Sequence, residues 1–280
     1  MTAEAASVWL VVPTFNEANN IEALVEAVRK VLPSSRRILI VDDSSPDGTG
    51  RIADRLAAEH DDVEVLHRPL KEGLGPAYLA GFRHALEQRA ELVIQMDADF
   101  SHDPAFLPRF LDAARNADLV LGSRYVPGGG VAEWGPTRRI VSRWGSAYAR
   151  VVLGVGVRDL TGGFKCWRRE ALEAVDLDSV ESRGYAFQVE MTYRAIEAGL
   201  RVVEVPIVFH DRRVGSSKMS RSIVAEAIWR VPAMRLHRSR ATATDSLAES
   251  PNAHGPSVFW GRYTLYSIEQ VTTDSVGENQ

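Results

Sequence analysis

Apolar residues fall along the first hundred positions in short unbroken runs rather than in alternation. Val8-Trp9-Leu10-Val11-Val12, Ile38-Leu39-Ile40-Val41, Val63-Glu64-Val65-Leu66 and Leu92-Val93-Ile94-Gln95-Met96 each have the length of a strand. Such runs suit strands buried on both faces. Between the first two, Ile21, Leu24, Val25, Val28, Val31 and Leu32 recur at helical spacing, which predicts a helix over 19–32. A second helix is expected over 50–59, then a glycine-rich turn and a helix through Gly81 to Gln88. Strands alternating with helices argue for an α/β fold, a mostly parallel sheet covered on both faces.

Three of these runs stop on polar clusters. The first closes on Pro13-Thr14-Phe15-Asn16-Glu17, the second on Asp42-Asp43-Ser44-Ser45-Pro46-Asp47-Gly48-Thr49, and the fourth on Asp97-Ala98-Asp99. Open α/β sheets bind ligands beyond the carboxyl ends of their strands. Two spaced carboxylates there suit a hard divalent cation, since magnesium takes one or two protein carboxylates plus phosphate oxygens. Ser101 reads either as a further oxygen ligand or as a helix cap. Asp103, just before Pro104, is the preferred cap. His102 reads as a loop residue, because oxygen ligands suit magnesium or manganese better than imidazole. Glu17 has a structural reading as a charge in a first helical turn, and Asp47-Gly48 reads as a tight turn. Gly73 and Gly75 read either as backbone that a ligand approaches closely or as glycines of a loop-to-helix junction.

Bulk properties narrow the classes. At 280 residues the chain can bury a full core, and a net charge of -4 carries no electrostatic footprint for nucleic acid. The single Cys166 excludes an intrachain disulfide; in Phe164-Lys165-Cys166-Trp167, a strand-like run, it reads as an inert buried thiol. No stretch reaches the roughly 18 apolar residues of a membrane span, and Met1-Thr2-Ala3-Glu4 lacks the features of a secretory signal. A soluble or peripheral protein working from the cytosol is the expectation. Residues 222–240 place Ile223, Val224, Ala227, Ile228, Val231 and Met234 at near-helical spacing, interrupted by Pro232. With five Arg against one Glu between Arg221 and Arg240, this piece reads either as a membrane-surface helix or as a terminal helix packed on the domain. From about Ser239 the composition turns polar and small, predicting a flexible tail over 241–280 with a short strand or partner segment near Tyr263 to Ile268.

The motifs also form an ordered series. Beyond those above it includes Gly73-Leu74-Gly75-Pro76-Ala77-Tyr78, Asp97-Ala98-Asp99-Phe100-Ser101-His102, Gly122-Ser123-Arg124-Tyr125 and Asp159-Leu160-Thr161-Gly162-Gly163-Phe164. It ends with Gly184-Tyr185-Ala186-Phe187-Gln188-Val189-Glu190, Glu204-Val205-Pro206-Ile207 and the stretch from Arg212 to Lys218. In order and spacing the series resembles the dolichol-phosphate (polyprenol-phosphate) mannose synthases of glycosyltransferase family 2, over about residues 8–220. Thr161-Gly162-Gly163-Phe164 departs from the family's usual Thr-Ser-Gly-Phe.

The resemblance implies a GT-A catalytic domain over 1–220, followed by the basic segment 221–240 and the tail 241–280. It implies inverting transfer of mannose from GDP-mannose to polyprenyl or dolichyl phosphate, assisted by Mg2+ or Mn2+. Pro13, Phe15, Glu17, Val41, Asp43, Asp97, Ala98, Asp99, Arg212 and Lys218 then correspond to donor-binding positions. Asp97, Asp99 and Ser101 correspond to the metal site, and Asp99, Arg212 and Lys218 to the catalytic group. Arg124, Arg138 and Ser142 match acceptor-phosphate positions; Arg138 and Ser142, four apart, share a face if helical. Arg139, Arg143, Arg168 and Arg169 read as solvated surface charges, and Tyr125, Trp134 and Tyr185 as packing more than lining. The implied partners are a membrane surface at its cytoplasmic face or a membrane-anchoring protein, and no nucleic acid. Two rivals are a glucosyltransferase using UDP-glucose and a non-catalytic nucleotide-sugar-binding subunit.

Overall fold

The computed structural model describes residues 6–184, 186–211, 229–236 and 264–265. Four parallel strands, β1 (Val8–Thr14), β2 (Arg36–Asp42), β3 (Val63–His67) and β4 (Leu92–Gln95), alternate with α1 (Ile21–Val31), α2 (Thr49–Glu59) and α3 (Leu74–Glu87). There follow α4 (Leu107–Ala114), β5 (Leu119–Ser123), β6 (Gly130–Val131), α5 (Pro136–Leu153), β7 (Lys165–Arg168) and α6 (Arg169–Ala174). Then come α7 (Ala186–Glu197), β8 (Val202–Pro206), β9 (Val208–Phe209) and β10 (Thr264–Leu265). The main sheet runs β10-β8-β5-β7-β4-β1-β2-β3, and only β7 is antiparallel to its neighbours. β6 and β9 form a separate parallel pair.

The unbroken apolar runs are explained by cover on both faces. In β1, Trp9 and Val11 pack into one layer with Tyr78 and Phe82 of α3 and Phe187 of α7. Val8, Leu10 and Val12 pack into the other with Ile21 and Leu24 of α1, Leu56 of α2 and Phe110 of α4. Alternate side chains of each strand thus reach opposite cores. Because β1, β2, β4, β5 and β8 point the same way, their carboxyl ends share one edge, from which β7 also starts.

Several sequence expectations need correction. α3 begins at Leu74, not near Gly81. Pro76 lies in its first turn, where a missing N–H leaves no helical bond unmade. Gly81 sits inside the helix because a Cβ there would collide with Val11 of β1. Arg168 and Arg169 are not solvated charges. Arg168 donates to the carbonyls of Ala114 and Ala117, and Arg169 donates to Leu86 O at 2.9 Å, so they close the carboxyl ends of α4 and α3. Cys166, by contrast, is the inert buried thiol expected: it lies in β7 and burial pushes its thiol up to about 12, which keeps it protonated. Residues 229–236 are helical through Pro232, and Val231 is packed into the core beside Leu153 and Val155. Within the expected tail, Thr264–Leu265 adds a strand beside β8.

Candidate active site

Beyond β4 the chain folds into a tight turn that fixes Asp97 and Asp99. Phe100 adopts a left-handed conformation, φ 59°, and the Ser101 N–H donates to Asp99 Oδ1 at 3.0 Å. The Tyr78 hydroxyl, reaching across from α3, donates to Asp97 Oδ1 at 2.8 Å. Burial, and then the Asp97 charge, pushes the Tyr78 pKa well above its ordinary value, so it remains a donor. The Asp97 N–H donates to His102 Nδ1 at 3.3 Å, and the imidazole stacks on Phe164 with centroids 5.0 Å apart. Burial lowers the His102 pKa and favours the neutral ring that can accept this bond. His102 is therefore a buried support under the aspartates rather than a plain loop residue.

Asp103, not Ser101, is the helix cap: its side chain accepts from Ala105 N at 2.9 Å. Ser101 Oγ is buried with no hydrogen-bond partner among the described residues. Asp97, Asp99 and this orphaned hydroxyl form a hard oxygen donor set that fits magnesium or manganese completed by phosphate and water oxygens. No group of three or more His, Cys, Asp or Glu able to hold a metal occurs among the described residues. The fit is thus that of a two-carboxylate site.

At the ends of β1 and β2, Asp43 pairs with Arg68, and Glu17 Oε2 accepts from Asn20 at 2.8 Å. Burial raises the Asp43 pKa, with Arg68 acting against it. Glu17 precedes α1 by several residues, so it is not a first-turn charge. Asp47 does more than turn the chain: its carboxylate accepts from Thr49 and from the Ala18 N–H, tying the loops after β1 and β2 together. Pro13, Phe15, Glu17, Asp43 and Ala98 line a common cavity, with Lys71 Nζ 3.5 Å over the Phe15 ring. Val41 does not line it; that residue is wholly buried, and its carbonyl accepts from Thr14 Oγ1 at 3.3 Å. The glycines at 73 and 75 answer to protein backbone. A Cβ would meet Arg183 O at 2.9 Å from Gly73 and Ser182 O at 2.6 Å from Gly75.

Across the cavity, Arg124 leaves β5 buried and paired with Asp159. Its Nε and Nη2 lie 2.7 Å from Asp159 Oδ2 and Oδ1, and Nη2 also reaches Thr161 Oγ1 at 2.8 Å. Burial works against the Asp159 carboxylate, but Arg124 outweighs it and holds the pKa below the usual range. Arg138 lies 4.1 Å from the Trp134 ring centroid and donates to Asp211 at 2.8 Å. Ser142, one turn along α5, accepts from the Tyr125 hydroxyl at 2.7 Å. Trp134 therefore both packs and lines, while Tyr125 orients Ser142.

Glu17, Asp43, Asp97, Asp99, Arg124, Arg138 and Ser142 border one cavity of about 830 Å³, whereas Ser101, Tyr78 and Asp159 stand behind its lining. Its polar floor holds Asp97, Asp99 and Gln188; its wall carries Arg124, Arg138 and Ser142; its mouth, under α5, is made of Ile140, Val141, Trp144 and Tyr148. Arg212, Lys218 and Tyr185 lie outside the described residues. Sequence reasoning assigned no role to Tyr78, Asp159 or Gln188. Each stood inside a quoted motif, but a neutral side chain, or a carboxylate 35 residues from its partner, gives no local signal.

Comparison with known proteins agrees with this geometry. Undecaprenyl-phosphate mannosyltransferase of Micrococcus luteus is 50% identical over 221 residues, covering 79% of this chain and 90% of that protein. Polyprenol monophosphomannose synthase of Mycolicibacterium smegmatis is 50% identical over 224 residues, covering 79% and 84%. The crystal structure of glucosyl-3-phosphoglycerate synthase from Mycobacterium tuberculosis with Mn2+, UDP and glucosyl-3-phosphoglycerate superposes with a TM-score of 0.58 at 18% identity, over 84% of this chain and 80% of that one. That likeness establishes the glycosyltransferase GT-A-like fold. The sequence model described as Glycosyl transferase family 2 matches residues 9–176, from the first strand through the aspartates to α6, and the chain belongs to that family.

Proposed function

We propose that this protein transfers mannose from GDP-mannose to a polyprenyl (dolichyl-type) monophosphate, releasing GDP with inversion at the sugar's anomeric carbon. One observation carries the reading: a single cavity joins the carboxylates Asp97 and Asp99, the cationic wall of Arg124 and Arg138, and an apolar mouth. Such a cavity suits two phosphorylated substrates, one of them a lipid. The names of the two half-identical relatives point the same way.

On this reading Asp99, with Asp97 and Ser101, holds Mg2+ or Mn2+, which when bound offsets charge on the departing diphosphate. Glu17 and Asp43 accept hydrogen bonds from base or ribose, with Pro13, Phe15 and Ala98 completing the nucleotide region. Arg212 and Lys218 grip the diphosphate. Arg138 and Ser142, backed by Arg124, orient the acceptor phosphate, for which planar guanidinium forks are suited. A phosphate monoester has a second pKa near ~6, so it is largely dianionic at neutral pH. The protein then needs no general base. Its work is alignment and charge stabilisation.

The catalytic domain, over 1–220, works at the cytoplasmic face of a membrane. No helix among the described residues is long and apolar enough to cross one. Ile140 and Trp144 of α5, which line the cavity, however, stand exposed, as do Val151 of the same helix and Trp229 and Leu236. Arg139, Arg143, Arg150 and Arg235 are also exposed nearby in sequence, and α5 carries four Arg and no acidic residue. An apolar face set among cations suits an anionic lipid surface.

The test is transfer of label from GDP-mannose or UDP-glucose to polyprenyl phosphate with magnesium, read in the organic phase. Mannose labelling that falls by about 100-fold or more in Asp99→Ala is the expected result. Labelling from UDP-glucose alone would replace the donor. No labelling from either, with nucleotide binding intact, would contradict a transferase.

A further inference from the structure

Gln188, in the first turn of α7, is wholly enclosed yet borders the cavity. Its Oε1 accepts from Gln95 Nε2 at 2.6 Å, and Gln95 lies two residues before Asp97 on β4. Its backbone carbonyl accepts from the buried Lys165 Nζ at 2.8 Å. The residue is thus held at both ends. Its Nε2 has no hydrogen-bond partner among the described residues, and neither has Gln95 Oε1, so the amide pair leaves one polar group open on each side, of which that of Gln188 belongs to the residue bordering the cavity. Buried donors in folded proteins are nearly always satisfied, so this one asks for a ligand.

The space it faces can be located from Gly163. A Cβ built there would stand 3.4 Å from Gln188 Nε2, 3.4 Å from His102 Cε1 and 3.5 Å from Asp97 Oδ2. Asp97 Oδ1 is engaged by Tyr78, so Oδ2 is the oxygen turned to this spot. One amide donor and one carboxylate acceptor therefore converge where the missing side chain leaves room. An ionised phosphate oxygen could accept from Gln188 but has no proton to give to Asp97 Oδ2. A sugar hydroxyl both accepts and donates, and satisfies the pair.

Resting on the proposed transferase function, we infer that Gln188 reads the transferred hexose: its amide N–H2 donates to a sugar hydroxyl that donates in turn to Asp97, in the space kept open by Gly163. Gln188 is then a specificity-determining contact of the donor sugar and not of the nucleotide.

The experiment compares GDP with GDP-mannose by calorimetry in the parent protein, Gln188→Met and Gly163→Ala, alongside kcat/KM for transfer. Methionine keeps the length of the side chain without its donor, and alanine fills the facing space while leaving Gln188 in place. Expected is GDP affinity within about twofold of the parent, GDP-mannose affinity about tenfold weaker, and kcat/KM lowered at least as much in both variants. Unchanged GDP-mannose affinity and kcat/KM in Gln188→Met would overturn the inference. So would an equal weakening of GDP, which would assign the amide to the diphosphate, or loss of GDP binding in both variants, which would assign it to the fold. A parent that uses UDP-glucose instead would overturn the donor assignment alone, and the same comparison with UDP and UDP-glucose would still decide the role of Gln188.

Discussion

Lys165 is wholly buried in β7, its ammonium on the Gln188 carbonyl, and burial draws its pKa down to about 7 despite the nearby Asp159 charge. In the unfolded chain a lysine keeps its proton up to a pKa of about 10.5. Between those values unfolding takes up a proton, so raising the pH stabilises the fold, and the full penalty applies below about pH 7. Lys165→Met removes this linkage. Its stability relative to the parent is expected to fall by about 1.4 kcal/mol per pH unit between roughly pH 8 and 9.5, measured by urea unfolding. Parallel stability curves would contradict the buried-amine account. Legibility at single positions followed charge and placement. Asp97 and Asp99 were readable from context: Asp-x-Asp alone also occurs in ordinary turns, but here it ends an apolar run within an ordered series of motifs. Arg124 was readable as a cation beyond a strand, but its grip on Asp159 was not, since that pairing exists only once β5 and the loop before β7 meet. Gln188 and Tyr78 carry no charge, and their spacing fits core packing equally well.

α5 is the helix whose importance the sequence least revealed. Its apolar residues do not all point inward: Ser146, Ala149 and Leu153 are buried, while Ile140, Trp144 and Val151 face out. Read as a periodic pattern, the helix has a weak inner stripe and scattered arginines, whereas 222–236 has the clearer apolar periodicity. Only the cavity beneath it shows that its exposed residues rim an opening. Trp144, 72% exposed, supports no core, so replacing it is expected to leave stability within about 0.5 kcal/mol. Trp144→Ser together with Ile140→Ser is expected to lower binding to anionic vesicles by tenfold or more, in a flotation assay, while transfer to a short water-soluble acceptor phosphate is retained. Undiminished vesicle binding would move the docking surface elsewhere. The start of α3 was misread for a related reason. Gly75 and Pro76 look like helix breakers one by one, yet Gly75 is required by the Ser182 carbonyl packed against it and Pro76 is accommodated by its place in the first turn.

The sheet order itself explains why so much of the site was legible. With β1 between β2 and β4, and β7 reversed between β4 and β5, segments distant in sequence deliver their carboxyl-end residues to one edge. An α/β reading from alternating runs therefore points to the sheet edge at which the candidate site lies. It did not supply the shape of the cavity, which draws on residues from Pro13 to Val231 and on long-range pairs. The overall charge of -4 likewise concealed the cationic wall and rim, because acidic residues elsewhere outnumber them. On the proposed function, the carboxylate floor, the arginine wall and the apolar mouth serve a lipid phosphate that attacks the sugar directly, with no covalent sugar on the protein. That claim has a stereochemical signature. NMR of the mannosyl phosphate lipid made from α-linked GDP-mannose is expected to give the β anomer, the product of a single inverting displacement. An α-linked product would contradict the direct attack on which the account rests.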